Sequence, residues 1–364
     1  MKIVFICGSA QPGKDGVGDY VRLLAVSLIK MGHQAAIVAY NDKFVSVQET
    51  AVQDANGFQI PVLRLPINFP KNKKLLNAGS FIDDFTPDWV SLQFVPFSFN
   101  KRGLSINLIS HVKQLSHGRK LHIMFHELWV GMDLQSSLKL KLWGKLQKQL
   151  IKSMLRQLKP NVIHTHSQVY REQLSILGHS VKILALFGNI PLGIMGPKFK
   201  DLSPLIFGGI HHGGEIKSFL NWLKDAAFDE EKNIHFHFVG NNGVYAKAWH
   251  NELKDAEISY TEHGIQAETY ISELLTQCTF GVGTTPYLLA EKSGSVAAML
   301  EHGLPVAVVA REWVPIEKPA REISDLKVVK WHRSLNYNMF LQQAQQPYNG
   351  VEVTTNVFLN DLKL

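Results

Sequence analysis

Apolar runs of strand length alternate with segments of helical period along the whole chain, and this alternation limits the fold more than any other feature. The first half carries KIVFIC, QAAIVAY, FQIPVLRLP, DWVSLQFVPF, LHIMF, NVIHTHS and VKILALF. The second half starts the pattern again with LIFGGI, NIHFHFVG, ISYTEHG, CTFGVGTT and PVAVVA. Runs that are apolar on both faces suit a parallel sheet covered by helices on both sides. Between the halves lies GNIPLGIMGPKFKDLSP, which is rich in Gly and Pro and has no helical period. Such a stretch reads as an interdomain linker. The expected organisation is α/β, with one Rossmann-like domain over 1–187, a hinge over 188–204, a second such domain over 205–345 and a helical tail over 346–364. A chain of 364 residues suits two domains of ordinary size.

The formal charge of +7 favours anionic partners, whether phosphates or acidic lipid. Basicity is the only argument for nucleic acid, and without an aromatic–basic module none is expected. Cys7 and Cys278 lie in apolar runs and read as reduced core residues. The N-terminal MKIVFICGSA has too short an apolar core for a secretory signal. No run approaches the ~18 apolar residues of a spanning helix. A cytoplasmic protein is expected, at most peripheral on the inner face of the membrane.

The most informative local stretch is AEKSGSVAAMLEHGLPVAVVA, residues 290–310. Ser293 and Ser295 can each cap a helix that runs through AAMLEH. Gly303 suits a left-handed stop, and Pro305 prevents continuation. Lys292, Ser293, Gly294 and Ser295 therefore surround open amides at the positive end of a helix, which is a phosphate site. The plain alternative is a capped helix with one surface lysine.

In the first half, GSAQPGKDGVGD follows KIVFIC and precedes a helix expected to begin near Tyr20. Its G-S-A-Q-P-G-K-D differs from the nucleotide phosphate loop at Asp15, where Ser or Thr should meet Mg²⁺. Asp42 ends the second strand, but no G-x-G-x-x-G follows the first, so a dinucleotide fold is a weaker match still. The remaining reading is a flexible loop in which Gly13, Gly16 and Gly18 let backbone approach a ligand. Lys71, Lys73 and Lys74 read as a small basic loop. His126 and Glu127 end one strand and Gln93 another, at the carboxyl end where open α/β sheets bind ligands. His164 and His166 alternate on one strand face but lack the partners of a metal site. Residues 138–159 form a helical pattern with Leu138, Leu142, Leu146, Leu150, Met154 and Leu158 at four-residue spacing. Seven Lys and Arg follow from Lys139 to Lys159 without an acid. That suits an anionic membrane surface, or a domain helix packed by its leucines with a solvated basic face.

Taken together, these motifs resemble a GT-B glycosyltransferase of the retaining, glycogen-synthase-like superfamily (glycosyltransferase group 1, family 4-like), in a variant branch without the full Glu-x7-Glu pattern. GVGDYVRLLAVSLIKMGHQAAIVAY resembles the family's glycine loop, helix and turn, FHELWVG its strand-end histidine motif, and FGNIPLGI its hinge. IFGGIHHGGE, VGNNG, EHG and EKSGSVAAMLEHGLPVAV resemble the donor-binding segments. Two departures stand out. His211, His212 and Gly213 occupy the place of the family's Arg and Lys. Counting back from Gly303, Ala298 takes the place of the second Glu, with Glu301 available one turn later.

The resemblance implies two doubly wound parallel-sheet domains facing a central cleft, with the tail over 346–364 crossing back to the first domain. It implies a nucleotide-sugar donor on Gly209, His211, His263, Gly264, Lys292, Ser293, Gly294 and Ser295, with Gly16 and Gly18 closing over it. His126 would touch the sugar or orient the acceptor hydroxyl, and Glu291 would accept from sugar hydroxyls. Gln93 and Glu127 would meet the acceptor, a saccharide or lipid-linked saccharide of cell-surface polysaccharide synthesis. Retention of configuration is implied, and neither metal nor cofactor is expected. The competing readings are an inactive GT-B partner or scaffold at the membrane, and a nucleotide phosphohydrolase or epimerase using the loop over residues 8–14.

Overall fold

The computed structural model describes residues 1–319, 323 and 326–363. The chain divides into two compact units. One comprises Met1–Ala185, Pro315–Arg321 and Val351–Leu364, the other Leu186–Val314 and Glu322–Gly350.

The first unit contains β1 (Lys2–Cys7), α1 (Gly16–Lys30), β2 (Gln34–Asp42), β3 (Glu49–Ala55), β4 (Phe58–Pro66), α2 (Lys71–Phe85) and β5 (Trp89–Phe94). It continues with α3 (Pro96–Phe99), α4 (Ile106–Leu115), β6 (Lys120–Phe125), α5 (Leu138–Leu158), β7 (Val162–Thr165), α6 (Gln168–Ser175) and β8 (Lys182–Ile183). Its eight strands lie in the order β3-β4-β2-β1-β5-β6-β7-β8. The central β1 is apolar on both faces, and Ile3 to Cys7 are fully buried. All pairings are parallel except β3–β4. Those two form a hairpin through Asn56 and Gly57, whose φ values of 54° and 79° are those of a tight primed turn. The apolar alternation misses β3 because this edge strand is mostly exposed and polar; the Asn-Gly pair was its signal.

Two local readings of the sequence need correction. Lys71, Lys73 and Lys74 are not in a loop but open α2. Helix α1 does not begin near Tyr20. It begins at Gly16, because Asp15 accepts from the Gly18 amide at 2.8 Å and caps it.

The second unit contains β9 (Pro204–Phe207), α7 (Ile216–Asp229), β10 (His235–Val239), α8 (Ala246–Asp255), β11 (Ser259–Gly264), α9 (Glu268–Gln277) and β12 (Phe280–Gly283). A 3₁₀ turn (Tyr287–Lys292), α10 (Gly294–Glu301), β13 (Val306–Val308), β14 (Val329–Lys330) and α11 (Tyr337–Leu341) follow. The six strands are all parallel, in the order β11-β10-β9-β12-β13-β14. Alternate strand residues feed two apolar clusters. Phe236 and Phe238 join Phe219, Trp249 and Phe280 in one. Leu205, Val306 and Val308 join Leu275 and Met299 in the other.

The last helix, α12 (Gly350–Leu362), lies almost wholly in the first unit, where Phe358 stacks on Phe5 at 6.2 Å. Residues 315–321 also belong there, and Ile316 donates to the Met132 carbonyl at 2.8 Å. Among the described residues no helix is long and apolar enough to cross a membrane.

Candidate functional site

In the second sheet the chain moves outward from β9 in one direction and from β12 in the other. Such a reversal opens a crevice at the carboxyl ends of the two strands, where ligands of open α/β sheets bind. The loop after β9 meets the loop after β12 there. The His211 amide donates to Thr284 Oγ1 at 3.1 Å, and a Cβ on Gly208 would lie 3.4 Å from that of Ser295. The 3₁₀ turn delivers Glu291 and Lys292 to the start of α10, and both are half-buried.

Ser293 caps α10. Its Oγ accepts from the Val296 amide at 3.3 Å, its carbonyl accepts from Ala297, and Ser295 Oγ lies 3.0 Å away. The amides of Gly294 and Ser295 come first in the helix and can have no intrahelical acceptor. Gly209, His211, Lys292, Ser293, Gly294 and Ser295 are thus brought to one crevice. Sequence reasoning missed Arg311, which follows β13 and packs beside Gly213: a Cβ there would meet the arginine's at 2.8 Å. Its position just past PVAVVA, at the same strand end, was the available signal.

His263 and Gly264 are placed elsewhere, on the edge strand β11, two strands from the crevice. Both ring nitrogens of His263 are engaged, with His237 at 3.0 Å and Tyr270 at 2.8 Å. Burial, then the neighbouring His235, hold its pKa below the usual imidazole range. Glu301 does not stand in for the missing carboxylate. It is 5% exposed and accepts from the Gly188 amide at 2.7 Å.

In the first sheet the reversal lies between β1 and β5. Gly18 is buried within α1 rather than free in a loop, and a Cβ on it would meet the Ser9 carbonyl at 2.5 Å. Its small size serves helix–loop packing; Gly16, in the same turn, is exposed. Asp42 is buried too, where it accepts from Ser9 and pairs with Arg64 at 2.8 Å.

Gln93 and His126 belong to a buried hydrogen-bonded chain along one face of this sheet. His166 Nδ1 meets the Leu184 carbonyl at 2.8 Å, and its Nε2 meets His126 Nδ1 at 2.9 Å. His126 Nε2 meets Gln93 Oε1 at 2.8 Å, and Gln93 donates to Ser91 at 2.7 Å. Ser91 reaches His122 at 2.7 Å, His122 reaches His164 at 3.0 Å, and His164 reaches Asp361 of α12 at 2.9 Å. Lys182 pairs with the other oxygen of Asp361. Tyr20 packs edge-on against His126 and His166, and Phe358 against His122 and His164. Glu127, next in sequence, is exposed.

This chain ends on an acceptor at each side, a carbonyl and a carboxylate. Seven links need seven hydrogens. Four neutral imidazoles, one hydroxyl and one amide supply six, however the tautomers and the amide are assigned. The chain is therefore complete only with one imidazolium. Burial holds His122 well below the usual imidazole range, with His164 adding to the effect. His164 is also lowered, again mainly by burial, although Asp361 opposes the shift. Among the described residues no group of three or more His, Cys, Asp or Glu is placed to hold a metal ion.

No protein-family model matches the chain, and no curated protein matches it in sequence. Solved structures match over its full length. The apo lipopolysaccharide outer core galactosyltransferase WaaB superposes with a TM-score of 0.58 at 13% identity, covering 100% of both chains. Anabaena HepE in complex with UDP gives 0.52 at 14% identity, covering 100% of this chain and 91% of that one. A UDP-N-acetylglucosamine 2-epimerase gives 0.52 at 11% identity, with 100% and 95% covered. The chain has the α/β fold of two parallel-sheet, Rossmann-like domains that its glycosyltransferase neighbours share, GT-B.

Proposed function

We propose that this protein is a hexosyltransferase that moves a sugar from a nucleotide-diphosphate sugar to a saccharide or lipid-linked acceptor, with retention, in cell-surface polysaccharide synthesis. The observation that carries the reading is the convergence of Lys292 and the open start of α10 with the loop after β9 at the switch point of the second sheet. As the glycosidic bond loosens, negative charge grows on the leaving phosphate. The fixed amides of Gly294 and Ser295, the helix dipole and Lys292 would stabilise that charge without reorganising. Arg311 would supply part of the positive charge that His211, His212 and Gly213 lack, and Glu291 would accept from sugar hydroxyls. In the first unit His126 has both ring nitrogens engaged, so it acts as a positioning residue, and exposed Glu127 is the group left to meet an acceptor hydroxyl.

The reading includes attachment to an anionic membrane surface through α5. Leu138, Leu142 and Leu146 are 73%, 54% and 53% exposed, and Lys139, Lys145, Lys152 and Arg156 are exposed with them. An apolar stripe flanked by cations and free of acids matches acidic head groups over acyl chains.

Because one neighbour is an epimerase, the sugar chemistry has a second candidate. Calorimetry of UDP binding to the Lys292→Ala variant tests the donor site. A loss of tenfold or more is expected, and unchanged affinity would remove the phosphate role. Incubation with a UDP-sugar then separates the reactions. A transferase releases UDP faster when an acceptor is added, whereas an epimerase converts the sugar with its UDP still attached.

A further inference from the structure

One opening in the first unit lies away from the histidine chain, at the carboxyl ends of β2 and β4. It is a cavity of about 840 Å³ between the end of β2, the start of α2 and the loop that leads into α4. That volume falls in the range of small-molecule sites, roughly 300–1,000 Å³. Lys71, Lys74, Lys101 and Arg102 line it, and no Asp or Glu does among the described residues. None of the four forms an ion pair among the described residues.

Two helices begin at this cavity. Neither α2 nor α4 has a side-chain hydrogen bond at its N-cap, and neither has an acid in its first turn. Each presents open amides and the positive end of its dipole. The N-cap of α4, Ser105, is 8% exposed and lines the cavity, and its Oγ has no hydrogen-bond partner among the described residues. A buried hydroxyl is costly to leave without a hydrogen bond, which is a reason to look for a ligand. Lys74 is 6% exposed and gives two hydrogen bonds to neutral oxygens, Asn41 Oδ1 at 2.9 Å and the Ile67 carbonyl at 3.1 Å. Burial without a counter-charge brings its pKa down to about 8, and an anion in the cavity would restore it. Tyr40, Phe69 and Phe99 add aromatic surface to the wall.

We propose that this cavity is a binding site for a saccharide carrying an anionic group, a phosphate or a carboxylate. The anion lies between the starts of α2 and α4 and the four cations, and the sugar lies against the aromatic rings. This deepens the sugar-transfer reading and rests on it, because it gives the acceptor a chemical class. Neutral sugars would lack the group that the site is charged to receive.

The test is calorimetry on the full chain with its nucleotide site filled by UDP, using glucose 6-phosphate, glucuronate, glucose and inorganic phosphate. At least one anionic sugar binds tenfold or more tightly than glucose, and whichever wins identifies phosphate or carboxylate as the group. Lys101→Ala/Arg102→Ala, a pair of exposed side chains whose loss spares the fold, weakens that binding tenfold and flattens its salt dependence. Glucose binding as tightly as both anionic sugars, or a double variant with unchanged affinity, overturns the proposal. So does inorganic phosphate binding as tightly as the phosphosugar, since the saccharide would then contribute nothing. If UDP itself does not bind, the sugar-transfer reading fails separately, and the double variant still decides whether the cavity takes anions.

Discussion

Glu301 is one turn from where a donor-binding carboxylate would stand, and its surroundings give it a different task. Its carboxylate is buried against the Gly188 amide at the start of the linker, and its carbonyl accepts from the Tyr348 amide. Burial raises its pKa to about 7 from near 4.5, against the opposing effects of Gly188 and Lys327. The folded state therefore binds this proton more tightly than the unfolded chain. Stability from this group is full below pH 4.5 and is lost as the pH rises to about 7, by about 3 kcal/mol at most. Glu301→Gln keeps an oxygen for Gly188 and carries no charge. The variant should match the parent near pH 4.5 and melt higher above pH 7, read by thermal unfolding at both ends. An equal difference at the two pH values would show that the carboxyl does not titrate in this window. The Lys292–Ser295 cluster could be read from sequence because capping is a local pattern. Glu301 could not, because its partner lies 113 residues away.

At the scale of the element, α5 shows where periodicity stops being informative. A helix was legible from the leucine spacing, but the buried face was not. Each four-residue step advances about 40° around the axis, so the five steps from Leu138 to Leu158 turn through about 200°. The stripe starts outside and has turned inside by its fifth residue: Leu138 is 73% exposed, whereas Met154 is 1% exposed. The face that packs is Gly144, Gln147, Ile151, Met154 and Leu155, so the helix is not packed by its full leucine row. Three leucines left outside beside exposed cations make a membrane prediction specific. The protein should sediment with phosphatidylglycerol vesicles and not with phosphatidylcholine vesicles. Replacing Leu138, Leu142 and Leu146 by Ser should reduce binding at least tenfold without lowering the melting temperature, because these side chains pack on little. Each lysine near the surface is worth roughly 1 kcal/mol, so binding should also weaken steeply with salt. Equal binding to both vesicle types, or none, would refute it. A self-associating protein that ignores vesicles would assign the leucines to a second copy of the chain.

The alternation of strand and helix made both sheets legible at the scale of the whole molecule. The return of residues 315–321 and of α12 to the first unit rests on contacts that no local pattern announces. The same holds for the histidine chain. His164, His166, His126 and Gln93 stood out in sequence, but Asp361, which terminates their chain, is 197 residues from His164. Imidazoles in each unit respond to one pH window. His122 and His164 in the first unit, and His237, His263 and His302 in the second, are all held below their usual range, chiefly by burial. An imidazole with a lowered folded pKa contributes stability that is complete above the unfolded value near 6.5 and is lost as the pH falls through that window. For His237 the pKa is lowered to about 4, so its share is lost progressively between pH 6.5 and 4. Five such groups act in this direction, and Glu301 alone acts against them. The melting temperature should fall between pH 6.5 and 4, more steeply in Glu301→Gln, and a flat profile would contradict this.

Within that window the hydrogen count of the chain gives the sharper test. With Asp361→Asn the introduced amide can donate to His164 Nε2, and the seventh hydrogen no longer has to be an extra proton. With the Gln93 amide turned so that it accepts from Ser91 and donates to His126 Nε2, all four imidazoles can then be neutral with hydrogen on Nδ1, donating in one direction from the introduced amide to the Leu184 carbonyl. Nitrogen NMR of the four rings through an acid titration should show one imidazolium forming in the parent chain and its midpoint moving down in the variant. Identical titration of all four rings in both proteins would mean that α12 does not set the protonation of the sheet on which it packs.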